Sequence, residues 1–329
     1  MPTTRPPLLR LLLAMLGLAL IAAACSSDDD TADATSGDDG TEAAAPETIR
    51  IGTFSRAVDY APFYVARAEG MFEAAANGAE IEYVEFDSAP AITEALGTGR
   101  IDMVFMAEPP ALITASAGID VIIAALGASL IQDIIVPTGS DIETAADLAG
   151  ARVGVLAGSS SQYGLLSIAE DAGVDPDSIE ILDLAPPDAQ AAFEAGELDA
   201  WAVWPPFVQQ QVIQETGVLL PEGDAAIQSI VVVPTSFAEE YPETYAALIQ
   251  AVADAKVFIA ENEADAQAVV SEAVGVEAEV VELAWPRHDF TAELDDAIVA
   301  DIQEKADFLV EAGFLENEVD VATLVKQPG

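Results

Sequence analysis

The turn Val153-Gly-Val-Leu-Ala-Gly-Ser-Ser-Ser-Gln-Tyr163 has the composition of an anion seat. A short apolar run meets Gly158, and three hydroxyl residues, Ser159, Ser160 and Ser161, lead into a helical pattern. The first N–H groups of a helix have no acceptor within it, and the helix dipole favours negative charge beside them. Such a seat needs no lysine or arginine. The same serines also suit a plain helix cap. A second candidate is Trp204, which ends the strand pattern Leu198 to Trp204 just before Pro205-Pro206. An indole offers an apolar face and one N–H donor. Trp201, three residues earlier, falls on the opposite strand face and reads as core. The two prolines stop the strand and launch the next helix. Arg287, in Trp285-Pro-Arg-His288, suits either an anion clamp, since a guanidinium engages two oxygens, or a salt bridge between halves of the protein. Tyr60 precedes one helical pattern, and Glu108 with Pro109 opens another.

Catalytic apparatus is sparse. The chain contains no HExxH, CxxC, Walker loop or GxSxG, and His288 and Cys25 are its only histidine and cysteine. No catalytic residue, metal site or cofactor is expected. Fifty-eight acidic residues guarantee chance carboxylate pairs, so no particular pair is informative.

Charge excludes one class of partner. Lys plus Arg number 11 against 58 Asp plus Glu, a formal net charge of −47, which repels nucleic-acid phosphates. The only lysines are Lys256, Lys305 and Lys326. A lysine-poor, acid-rich surface suits a salty exterior, where repulsion is screened. A genome rich in Ala, Asp and Glu codons produces the same pattern. Arg5 and Arg10, then the apolar run from Leu11 to Ala24, make a secretory signal too short for a comfortable membrane span. Cys25 follows at once. This resembles a bacterial lipobox, with Ala22 where leucine is usual, so Cys25 is the expected lipidation site. Residues 26 to 46 hold no large apolar side chain and read as a solvated tether.

The candidate residues need elements to hold them. From Thr48 onward, strand patterns alternate with helical ones: Thr48 to Phe54, Ala61 to Ala76, Ile81 to Phe86, Ala89 to Leu96, Ile101 to Met106, then a helix at Pro109-Pro110. Val121 to Leu126 and Ile131 to Val136 read as two further strands. The alternation restarts at Arg152 and runs to Glu215. Ile230 to Pro234 reads as a return strand, and the chain is nearly all helical beyond Ser236. This order predicts α/β architecture with a mostly parallel sheet. The near-repeat of Ile134-Ile-Val-Pro-Thr138 and Val231-Val-Val-Pro-Thr235 brackets the second set. Crossing antiparallel there, the two would form a two-strand hinge.

Gly158-Ser-Ser-Ser-Gln-Tyr163, Leu165-Leu166 and the stretch from Leu184 to Trp204 resemble the aliphatic sulfonate- and taurine-binding proteins of ABC importers. Tyr83-Val-Glu-Phe86, Glu94-Ala-Leu96, Pro109-Pro-Ala111, Ala117-Gly118 and Asp147-Leu-Ala-Gly150 extend the likeness over residues 48 to 325. It is a likeness to the wider nitrate/sulfonate/taurine group. It implies a two-lobed, type II periplasmic-binding-protein-like fold, each lobe a mixed, mostly parallel sheet flanked by helices. Residues 1–24 would be the signal, 25–46 the lipidated tether, 47–136 plus 231–329 lobe I, and 137–230 lobe II. The lobes would close by hinge motion on a small organosulfonate or taurine-like ligand. The alternatives are nitrate or a thiamine-type pyrimidine in the same role, or an enzyme on the same fold. The implied partners are ABC permease and ATPase subunits. The protein would be exported as a monomer to the outer face of the membrane and held by its lipid alone. Ligand contacts fall on Tyr60, Glu108, Pro109, Ser159, Ser160, Ser161, Trp204 and Arg287. Three departures stand out: Pro205 where the group often has Asp, Gln162 where it often has His, and Glu108, whose carboxylate at a cleft mouth would repel a bare anion or pair with an ammonium.

Overall fold

Two long strands organise the molecule. The computed structural model describes residues 45–54 and 56–328. The signal segment, Cys25 and nearly all of the tether lie outside the described residues. The elements are β1 Thr48–Phe54, α1 Ala61–Ala68, α2 Met71–Ala75, β2 Glu80–Phe86, α3 Ala89–Gly97, β3 Met103–Ala107, α4 Glu108–Ser116 and β4 Val121–Pro137. Then come β5 Arg152–Val155, α5 Ser160–Asp171, β6 Glu180–Asp183, α6 Pro186–Glu194, β7 Ala200–Val203, α7 Phe207–Ile213 and β8 Gly217–Pro234. The C-terminal part holds α8 Thr235–Glu240, α9 Pro242–Glu261, α10 Glu263–Val274, α11 Ala278–Ala284, β9 His288–Asp289, α12 Asp296–Glu311 and α13 Val321–Leu324. Proline in the first turn opens α3, α4, α6 and α9, where its missing N–H costs nothing.

The sheet runs β2-β1-β3-β8-β4-β7-β5-β6, with β9 paired to β4. β1, β2 and β3 are parallel, as are β5, β6 and β7; the antiparallel pair β4–β8 joins the two sets. The α/β class and its mostly parallel halves are therefore as expected. The middle of the sheet differs. The two strands expected on either side of Gly127 are one, β4, with register shifts along its ladder to β8. Gly127 interrupts the apolar pattern without ending the strand. A Cβ there would stand 3.3 Å from the Ser229 carbonyl oxygen, so glycine permits a close strand approach.

The repeated Val-rich stretches do not cross each other. Val231 pairs with Ala125, and Ile135 pairs with Leu219. The two repeats lie towards opposite ends of the ladder, where Pro137 and Pro234 each close a strand. The antiparallel pairing that the sequence suggested is present, but its midpoint falls near Ser129 and Gln228.

Alternate residues of β7 serve two cores. Ala200 and Ala202 pack with Val153, Val155 and Leu165 under α5. Trp201 and Val203 join the larger core, which continues beneath α1 and α9. Among the described residues no helix is long and apolar enough to cross a membrane.

Candidate functional site: the strand-end crevice at α5

The β5 strand ends at Val155, and the chain turns through Gly158 at φ 71, a left-handed conformation that glycine adopts without strain. Ser159 caps α5: its hydroxyl donates to the Leu156 carbonyl at 2.7 Å and accepts from the Gln162 N–H at 3.3 Å. The Gln162 side chain bends back to accept from the Gly158 N–H at 2.8 Å. Ser160 and Ser161 are the first two residues of the helix and are buried. Their own N–H groups have no acceptor within the helix. Their hydroxyls are held by Gln132 of β4: the Gln132 amide donates to Ser160 Oγ at 2.6 Å, and Ser161 Oγ donates to Gln132 Oε1 at 2.9 Å. Ser160 thus keeps a hydroxyl proton to give. The opening turn of α3 faces this seat, since a Cβ built on Gly158 would stand 4.0 Å from that of Ala89. Helix starts from both halves of the sheet therefore meet here.

Trp204 follows β7, the parallel neighbour of β5, in which Gly154 lies opposite Trp201. Its ring lies 6.0 Å from Phe54 of the other half and 6.0 Å from Phe207. It is buried, and its Nε1 has no hydrogen-bond partner. A buried indole N–H without an acceptor is uncommon and is suited to an incoming one. Trp201 is core, as expected, but also reaches Phe207 at 6.0 Å, because the chain turns after Val203. The Pro205–Pro206 peptide is cis, and the Pro205 carbonyl accepts the Val58 N–H at 3.4 Å. That bond draws in the turn Val58–Tyr60. Tyr60 is buried there, and burial, with Asp59 beside it, pushes its hydroxyl pKa well up.

Glu108 is not the free carboxylate that the sequence suggested. It is fully buried, and Oε1 meets Lys305 Nζ of α12 at 2.7 Å while Oε2 accepts the Gln228 N–H at 2.8 Å. Lys305 also bonds Asp301 at 2.7 Å. Burial works against the Lys305 ammonium, but Glu108 and Asp301 outweigh it and lift its pKa above the ordinary value. The expected repulsion of a bare anion is thus cancelled at its source. Pro109 is buried in the first turn of α4. Arg287 takes the salt-bridge geometry: Nη2 donates to Asp133 Oδ1 on β4. Burial pushes the Asp133 carboxyl up to about 6, with Arg287 pulling it back and Asp224 adding to the rise. The structure buries the three serines at the start of α5, Trp204 just past the end of β7 and Tyr60 in the turn after β1. Glu108 and Arg287 stand in ion pairs.

Gln132, Asp133 and Asp59 escaped the sequence reading. Gln132-Asp133 interrupts the apolar run of β4, and that break was the available signal. Asp59 sits among Ala57, Val58 and Tyr60, is 3% exposed, and has its carboxyl pushed up to about 7. Burial is the main cause; the Ser229 hydroxyl and the Asp59 backbone N–H pull the value back, and the Glu108 charge raises it. Among the described residues there is no group of three or more His, Cys, Asp or Glu placed to hold a metal ion.

A model of the family described as NMT1-like matches residues 42–274. An aliphatic sulfonates-binding protein of Escherichia coli (strain K12) is 29% identical over 295 residues, 86% of this chain and 90% of that protein. The taurine-binding periplasmic protein of the same strain is 29% identical over 201 residues, 59% of this chain and 62% of its own. Among solved structures, the alkanesulfonate-binding protein SsuA from Xanthomonas axonopodis pv. citri, bound to MOPS, superimposes with a TM-score of 0.76 at 25% identity, covering 87% of this chain and 100% of that one. The desulfurization enzyme DSZB superimposes at 0.63 with 18% identity, covering 86% and 97%, a likeness of fold alone.

Proposed function

The chain belongs to the NMT1-like family, and from that premise we propose that it is the extracytoplasmic solute-binding component of an ABC importer for small organosulfonates, taurine-like molecules included. One observation carries the reading. The leading amides of α5, without acceptors in the helix, and the partnerless Trp204 indole N–H follow the carboxyl ends of the neighbouring parallel strands β5 and β7. Ligands of open α/β sheets sit at such ends. A sulfonate presents three acceptor oxygens. The Ser160 and Ser161 N–H groups, the Ser160 hydroxyl and the Trp204 N–H are donors of matching kind. Fixed dipoles act at contact range, while the acidic surface is screened by salt.

The β4–β8 pair is the proposed hinge between lobe I, residues 47–136 plus 231–329, and lobe II, residues 137–230. Closure would press the α3 and α5 turns onto the ligand and exclude water. The mechanism is capture without turnover. The Ser160 and Ser161 hydroxyls are tied to an amide, Gln132, which cannot serve as a general base.

Thermal melts of the full chain test the ligand class. At about 100 times its dissociation constant, a ligand adds about 2.7 kcal/mol, a rise of several degrees. Alkanesulfonates are expected to give that rise, and Ser160→Ala and Trp204→Phe to reduce it. A rise with nitrate or pyrimidines alone would replace the ligand and keep the importer role. Product formation from any of them would sink the binding-only reading. Cys25 is the proposed lipid attachment to the outer face of the membrane. Wild-type protein should pellet with membranes and Cys25→Ser should not, and equal fractionation of the two would refute the anchor.

A further inference from the structure

The proposed anion seat follows β5, and the groups on the turn after β1 differ in kind. Asp59 lies on the short turn after β1, which is joined to the Trp204-Pro205 turn by the Val58 N–H bond to Pro205. Asp59 is 3% exposed and has no cation beside it. Its neighbour Ser229, on β8, is buried, and its hydroxyl faces the Asp59 carboxyl. The other buried carboxylate nearby, Glu108, is already neutralised by Lys305 at 2.7 Å. The turn that carries Trp204 contributes two prolines and no charge. Among the described groups of this region, Asp59 is the acid left to meet a positive charge.

We propose that Asp59, with the Ser229 hydroxyl, is the specificity residue that receives the ammonium of a zwitterionic ligand whose sulfonate sits at the α5 helix start. This rests on the anion-capture reading above and narrows it to aminosulfonates. The crevice is then dipolar, with helix amides at one end and a carboxylate at the other. A buried carboxylate without a counter-charge is costly, and an arriving ammonium removes that cost. A ligand without the ammonium leaves it in place. The titratable groups that face Asp59 are Tyr60 and Tyr64 from its own segment and α1, and Glu108 from α4. Both tyrosine hydroxyls have pKa values raised by burial, so they stay neutral near pH 7. Glu108 is balanced by Lys305. Asp59 is thus the group whose charge changes there.

Taurine and ethanesulfonate share a carbon skeleton and differ in the ammonium, so titration calorimetry of both on the full chain reads the proposal directly. Taurine is expected to bind about tenfold tighter than ethanesulfonate at about pH 8.5, and the preference to shrink at about pH 5.5 as Asp59 takes a proton. Asp59→Asn is expected to erase the preference at both values. Equal or tighter binding of ethanesulfonate by the wild-type chain overturns the proposal with no variant needed. So does a preference that survives in a folded Asp59→Asn. Failure of both ligands to bind instead removes the anion-capture reading, and this one with it.

Discussion

Two buried ion pairs tie the C-terminal segment to the middle of the sheet, and they are built to different standards. In the pair between α12 and α4, each of the groups has its partners. Lys305 bonds Glu108 and Asp301, Glu108 also takes the Gln228 N–H, and the Gln228 side chain joins Asp301 at 2.9 Å to Ser129 at 2.5 Å. In the pair between Arg287 and β4, Arg287 Nε and Asp133 Oδ2 are buried without partners. Arg287 keeps 29% of its side chain exposed, against 5% for Lys305. A satisfied buried network fixes one arrangement, whereas a half-satisfied pair has spare bonding capacity and less to lose. The first acts as frame for the β4–β8 junction. The second joins the segment after α11 to the strand beside β7, where the proposed lobes meet.

The comparison breaks if the two pairs respond alike. Lys305→Met leaves Glu108 charged and fully buried, and should cost about 3–5 kcal/mol in denaturant unfolding. Adding Glu108→Leu should recover much of that loss, because both charges are then gone. No recovery would mean that the network stabilises through packing alone. Arg287→Met should cost less, about 1–3 kcal/mol, since water reaches the site. Its pH dependence sharpens the contrast. The Asp133 carboxyl stands above its ordinary 3.8, so the stability linked to its retained proton is full below that value and gone above about 6. Removing Arg287 raises the carboxyl further and penalises only its charged form. The loss should therefore be larger at about pH 8 than at about pH 5. An equal loss at both values would place Asp133 outside the titration.

Much of the fold was legible in the sequence. β1 and the parallel sets followed from apolar periodicity, and proline marked the helix starts. The helix read from Ala61 to Ala76 is two, α1 and α2, because Gly70 takes a left-handed conformation between them. β4 was harder, since Gly127 reads locally as a breaker and its tolerance depends on Ser229 from a strand about a hundred residues on. At the site, the Ser159 cap was readable, because it depends on neighbours in sequence, whereas Trp204, read as a cleft wall, is buried against Phe54 from β1. Glu108 was misjudged because its cation, Lys305, arrives from α12.

The sequence by itself determined the alternation of elements, the cap of α5, the charge that excludes nucleic acid and the family likeness. These rest on local periodicity, composition and short motifs. Tertiary structure alone decided which hydroxyls Gln132 holds, that Lys305 neutralises Glu108, and that Asp59 stands buried without a cation. Charge pairing and desolvation depend on distances between residues remote in the chain, and only the packed sheet sets those distances.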